Sequence, residues 1–207
     1  MVVYVVTGAP RGIGYELLRQ LSGSDNIVFG LVRTPGPTEA KVSSDKLENV
    51  HILKADITDL RSLQAARDQI AKITPAVDVL INNAAFLSEV SAFNSLSDFE
   101  NDPDLLESEI KLNYETNALG VVKTINVFMP MIKQSRIKKV ISISSGMADD
   151  ALTNEFDVFE AAPYSMSKAA LNTAMAKYNA KHGKKDGILF LSISPGVVDT
   201  GNAGARK

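Results

Sequence analysis

The stretch Val2-Val3-Tyr4-Val5-Val6-Thr7-Gly8-Ala9-Pro10-Arg11-Gly12-Ile13-Gly14 decides the fold. A β-branched run of strand length passes directly into a glycine-rich turn, and an amphipathic helix is expected over Gly12–Leu21. The order of these pieces matters more than the glycines alone. A strand, a turn free of side-chain obstruction and a helix N-terminus aim backbone N–H groups and the helix dipole at one point, which suits a pyrophosphate. Gly8, Arg11, Gly12, Ile13 and Gly14 are therefore the first candidate binding residues.

Outward from this turn, apolar runs alternate with helix-length segments along the chain. Further strands are expected at Ile27–Val32, His51–Lys54, Val77–Asn82, Val140–Ser144 and Ile188–Ser194, and further helices at Leu60–Ile73, Asp104–Lys133 and Tyr164–His182. Such alternation predicts an α/β fold of the Rossmann type, a doubly wound parallel sheet flanked by helices in a single domain over 1–207. Three segments interrupt the rhythm and are expected as irregular loops on the sheet's rim. Arg33–Asn49 contains Pro35, Gly36 and Pro37; Phe86–Glu109 holds seven acidic residues and no Lys or Arg; Gly146–Ala162 follows the fifth strand. Asp102-Pro103 suits a helix start. Loops at the carboxyl ends of strands are where open α/β sheets bind ligands.

Composition narrows the partner. A formal net charge of −2 offers no broad basic field, so neither nucleic acid nor an anionic membrane is expected, and a small molecule is. No run approaches the roughly 18 apolar residues of a membrane span. The chain has no cysteine, which excludes disulfides and thiolate metal sites and agrees with a cytoplasmic location, and its N-terminus reads as a buried strand, not a signal peptide. His51 and His182 are too few for a histidine-rich metal site and are expected to be structural or at the surface.

Later motifs bring a family into view. Thr7 to Gly14 has the spacing T-G-x-x-x-G-x-G; Asp56-Ile57 follows the third strand; Asn82-Asn83-Ala84-Ala85 follows the fourth and resembles N-N-A-G with alanine at the last place. Asn117 meets an Asn-x-x-Gly pattern, Ser145 is the last residue before the turn at Gly146, and Tyr164-Ser165-Met166-Ser167-Lys168 and Pro195-Gly196-Val197-Val198-Asp199-Thr200 complete the series. In this order the motifs resemble those of the short-chain dehydrogenase/reductase family over nearly the whole chain. Within it, Val140–Gly146 and Ser165–Leu171 are similar to carbonyl reductases of the C-factor and sniffer type and to fungal norsolorinic acid ketoreductase-like enzymes.

Tyr164 and Lys168 carry the chemistry. Pro163 suits a first helical turn, so the pair falls at i and i+4 on one face. A phenol with its usual pKa near 10 is a poor acid at neutral pH, and a neighbouring ammonium favours the phenolate. The resemblance implies that Tyr164 exchanges a proton with the substrate oxygen and Ser145 hydrogen-bonds that oxygen. It further implies that Lys168 holds the cofactor ribose and tunes Tyr164, while Asn117 holds a water linking Lys168 to solvent. It adds Asp56, Ile57, Asn83, Ala84, Tyr164, Lys168, Pro195, Gly196, Val198 and Thr200 to the cofactor contacts, and it requires no metal.

The second strand ends Val32-Arg33-Thr34, without the carboxylate that an NAD ribose attracts, so Arg33, aided by Arg11, points to NADP(H) over NAD(H). The expected function is NADPH-dependent reduction of a ketone or aldehyde to an alcohol, or the reverse. The alternative is a non-catalytic NADP(H)-binding redox sensor, which would need the glycine turn and Arg33 but not Ser145, Tyr164 and Lys168 together. Members of the family pair through their two long helices into homodimers or homotetramers; whether this chain does is not written in its sequence. The resemblance also implies a substrate-covering helix and a last strand after Thr200, for which 207 residues leave no room, so the chain is expected either to be naturally short or to be truncated at its C-terminus.

Overall fold

The computed structural model describes residues 1–23 and 25–200. The part of the expected domain at 201–207 lies outside the described residues. Six strands, β1 (Val2–Thr7), β2 (Asn26–Val32), β3 (Val50–Lys54), β4 (Val79–Asn82), β5 (Lys139–Ile143) and β6 (Leu189–Ile193), form one sheet in the order β3-β2-β1-β4-β5-β6. Every pairing is parallel, with Val5 beside Phe29 on one side and Leu80 on the other. This is the expected doubly wound Rossmann-type sheet. The chain winds outward from β1 to β3 and returns to β4, so a crevice opens beyond the carboxyl ends of β1 and β4.

Helices α1 (Gly12–Leu21), α2 (Pro35–Ser44), α3 (Leu60–Ala71), α4 (Pro103–Tyr114), α5 (Val121–Gln134), α6 (Asp150–Glu155) and α7 (Ala162–Tyr178) flank the sheet, with a last short turn at Lys184–Asp186. The period-2 alternation of β1 divides the core. Val3 and Val5 pack with Leu63 and Ile70 of α3, Ile125 and Phe128 of α5 and Leu171 of α7. Val6 faces the other way, toward Tyr15 and Leu18 of α1 and Val42 of α2. At the sheet's edge Leu189, Leu191 and Ile193 remain 38–48% exposed. The described sheet ends there.

Four expectations need correction. Within Arg33–Asn49 the structure has α2, because Pro35 occupies the first helical turn, where its missing N–H has no intrahelical partner to lose, and Thr38 and Val42 bury one face. The segment Asp104–Lys133 is not one regular helix. A π-helical turn at Glu115–Gly120 separates α4 from α5, and Asp102 caps α4 by accepting from Leu105 N at 3.0 Å. Similarly, α7 ends at Tyr178 and a second π-helical turn covers Asn179–Gly183. Within Gly146–Ala162 lies the short α6, capped by Asp149. The two histidines are placed as expected: His51 stacks on Phe29 and His182 bonds Asp186.

Candidate active site

The glycine turn meets β4 almost backbone to backbone. A Cβ on Gly8 would lie 2.6 Å from Ala84 Cα, and one on Gly14 2.1 Å from Gly8 O, so neither position has room for a side chain. Thr7 Oγ1 accepts from the N–H groups of Asn83 and Ala84, both at 3.1 Å. The Asn83 amide donates back to Thr7 O and Gly8 O. Asn83 thus welds the turn to the end of β4 through its amide. Ala85, where the family motif has glycine, keeps a negative φ, so its methyl costs no backbone strain.

A cleft of about 380 Å³ opens over this platform. Gly8, Arg11, Gly12, Ile13 and Gly14 form one wall, Arg33, Asp56 and Ile57 a second, and Asn83, Ala84 and Phe86 a third. Arg11, at the N-cap of α1, makes no side-chain cap, and the first turn holds no acidic residue, so the helix N-terminus stays receptive to an anion. Two exposed guanidinium groups, Arg11 and Arg33, stand at the rim. These features fit a dinucleotide: a side-chain-free backbone cradle for a pyrophosphate and cations for further phosphate. Burial raises the pKa of Asp56, but hydrogen bonds from Thr58 N and Oγ1, with Arg33 and Lys123 nearby, bring it below the usual range. Of the last motif only Thr200 reaches this cleft. Pro195 and Val198 line an adjoining groove beside α1, and Gly196 borders neither.

Beyond Phe86 lies the second cluster. Ser145 lies two residues beyond β5, and Tyr164 and Lys168 share one face of α7, whose start is set by Ala161 in the left-handed region at φ 50°. Lys168 is 1% exposed, and its Nζ donates to Ile143 O at 2.7 Å, 5.6 Å from the Tyr164 ring centroid. Burial lowers the Lys168 pKa to about 8. Burial also raises that of Tyr164, while the neighbouring Ser145 hydroxyl opposes it by favouring the phenolate. In the protein by itself the phenol therefore stays above its ordinary range, with Ser145 as the group that draws it down.

Asn117 sits in the π-helical turn, fully buried. Its Oδ1 accepts from Phe86 N at 2.7 Å, and its Nδ2 donates to Phe86 O at 2.8 Å and Ser167 Oγ at 2.9 Å. Ser167 in turn donates to Tyr164 O at 2.6 Å. With both amide protons engaged, any water at Asn117 falls to its acceptor atoms. Sequence reasoning missed Ser167 and Phe86 as parts of the site. Ser167 stands inside the Tyr-x-x-x-Lys pentapeptide, but its partner is 50 residues away and no local pattern marks it. Ser144 Oγ, bonded to Asn172 Oδ1 at 2.8 Å, ties the end of β5 to α7 in the same hidden way. Among the described residues no group of three or more His, Asp or Glu is placed to hold a metal ion, and no helix is long and apolar enough to cross a membrane.

Comparisons with known proteins show the family. The chain is 47% identical over 206 residues to the short chain dehydrogenase virK of Hypocrea virens, covering 98% of this chain and 76% of that protein. It is 47% identical over 200 residues to the short-chain dehydrogenase/reductase AacuF of Aspergillus aculeatus, covering 96% and 74%. Among solved structures it is similar to the NADPH-bound carbonyl reductase from chicken fatty liver, with a TM-score of 0.84 and 25% identity over 99% of this chain and 79% of that one. The short chain dehydrogenase family model matches residues 2–207, and the chain belongs to that family of nicotinamide-dependent oxidoreductases.

Proposed function

We propose that the protein is an NADPH-dependent carbonyl reductase, converting a ketone or aldehyde to an alcohol or running the reverse. The observation that carries this reading is that Tyr164 and the buried Lys168 share one face of α7, with the Ser145 hydroxyl placed to draw the phenol's pKa down. When bound, the nicotinamide supplies or accepts the hydride at the substrate carbon. The residues of the chain manage the proton and the orientation. Tyr164 Oη gives its proton to the carbonyl oxygen in the reducing direction and retakes it in the other. Ser145 Oγ hydrogen-bonds the same oxygen and stabilises the charge that develops there. Lys168 holds the ribose, and its ammonium, once near the phenol's oxygen, favours the phenolate. Asn117 fixes Phe86 and, through Ser167, the first turn of α7, so the donors keep their positions.

The cofactor preference rests on Arg33 and Arg11 at the rim. Guanidinium groups pair with a phosphate through two hydrogen bonds, and no carboxylate stands at the end of β2 to receive an unphosphorylated ribose. Gly8, Gly12, Ile13 and Gly14 receive the pyrophosphate, Asp56 and Ile57 the adenine, and Ala84 and Thr200 approach the nicotinamide half, while Pro195, Gly196 and Val198 stand outside the cleft.

The test is NADPH oxidation with a panel of aldehydes, quinones and aromatic ketones. Wild-type protein is expected to turn over, and Tyr164→Phe to lose about three orders of magnitude in rate while its NADPH affinity stays within about three-fold. Tyr164→Phe at near wild-type rate sinks the assignment. Tight NADPH binding with no turnover across the panel would make the protein a redox sensor instead.

A further inference from the structure

The π-helical turn Glu115–Gly120 touches both ends of the cleft, and only one of those contacts belongs to the catalytic cluster. Toward the chemistry, its Asn117 holds Phe86 and Ser167. Toward the adenine end, Gly120 packs so tightly that an added Cβ would lie 2.9 Å from Ile57 Cδ1. One turn further on, Lys123 Nζ donates at 2.7 Å to Thr58 O and at 2.7 Å to Glu115 Oε1. Glu115 opens the π-helical turn, and Thr58 is the residue whose N–H and hydroxyl both fix the Asp56 carboxylate. Lys123 does not line the cleft; Asp56, Ile57 and Thr58 do.

We propose that Lys123 is a positioning residue for the cofactor: by bridging Thr58 O and Glu115 it fixes the Asp56–Thr58 wall, and so sets affinity for the adenosine half of the dinucleotide without touching it. The argument is one of geometry and supply. The Asp56–Thr58 segment follows a β-strand as a short turn, and a backbone carbonyl in such a turn has no ladder partner. An ammonium that is three-quarters buried and held by a carboxylate supplies that partner in fixed position. Because the anchor is the π-helical turn itself, the adenine wall is referenced to the element that carries Asn117. The two halves of the cleft thereby share one frame. This inference rests on reading the cleft as the dinucleotide site.

The experiment measures Kd for NADPH and for ADP-ribose, with kcat at saturating NADPH, in the full chain. Lys123→Met keeps the aliphatic stem and removes the donor. It is expected to weaken both ligands by about five-fold, as one charge-assisted hydrogen bond would, while kcat stays within about two-fold. Lys123→Arg is expected to restore both affinities, and Glu115→Gln, which leaves the lysine in place, to cost about two-fold. The Arg and Gln variants decide the matter if the Met variant does not fold. Wild-type affinity for ADP-ribose in Lys123→Met overturns the inference, as does a fall in kcat as large as the fall in affinity, or an Arg variant that restores thermal stability but not affinity. A wild-type protein that binds neither NADPH nor ADP-ribose overturns the reading of the cleft and this inference with it.

Discussion

At the end of the cleft proposed to be catalytic Asn117, Ser167 and Lys168 are buried and each is bonded to backbone or to another member of the cluster, whereas at the end proposed for the ribose Arg11 and Arg33 stand exposed on the rim. The difference follows from the proposed tasks. Proton transfer depends on a phenol, a hydroxyl and an ammonium held to a fraction of an ångström, which only packed and satisfied groups achieve. Recognition of a phosphate needs charge in reach, and long cations on the surface adapt to it. Damage to the first region should therefore reach stability and turnover together. Damage to the second should change which cofactor is preferred and little else.

Asn117→Ala tests this division most severely. The substitution strands Phe86 N and Phe86 O and takes one partner from Ser167 Oγ, so unfolding free energy is expected to fall by about 3 kcal/mol and kcat by roughly a hundred-fold. Urea unfolding together with steady-state kinetics reads both. A variant that loses activity at unchanged stability would mean that the amide's role is chemical only, and that the two regions differ less than their burial implies.

Next in size is the response of stability to pH. The Lys168 pKa falls from its ordinary 10.5 to about 8 on folding, so below pH 8 both states hold the proton and the folded state bears the cost of the buried charge. Between about pH 8 and 10.5 the unfolded chain binds more protons, and stability gained from this group rises with pH. The full change amounts to about 3 kcal/mol. Relative to Lys168→Met, which has no such group, wild-type protein is expected to gain stability between pH 7 and pH 10 in denaturant titrations. A constant difference would show that the lysine is solvated.

Arg33→Ala should have the smallest effect. Its stability cost is expected to stay within about 0.5 kcal/mol, as for other exposed positions, while the NADPH to NADH ratio of kcat/KM narrows by roughly ten-fold. Comparable kcat/KM for both cofactors in the wild type would remove the preference that Arg33 is proposed to create.

Much of this was legible in the chain because it is local. The run Val2–Thr7 and the glycines after it define a strand, a turn and a helix start from nearest-neighbour properties, and Tyr164 and Lys168 share a face by helical geometry alone. Other parts were hidden for equally physical reasons. The prolines at 35 and 37 read as helix breakers because the rule that tolerates them applies only in a first turn. The π-helical turn at Glu115–Gly120 has no compositional mark, since the extra residue is accommodated by packing Gly120 against Ile57 and by bonds from Asn117 to a loop 31 residues earlier.

The sequence by itself determined the order of the six strands, the backbone cradle at Gly8 to Gly14, and the presence of a phenol, an ammonium and a hydroxyl in family order, because these depend on residue type and short spacing. Only the tertiary structure decided that Ser145 stands where it draws down the Tyr164 pKa, that Lys168 bonds Ile143 O and loses part of its basicity to burial, and that Lys123 and Asn117 hang opposite walls of one cleft from a single turn. Those facts depend on distances between residues far apart in the chain, and on the water that packing excludes from between them.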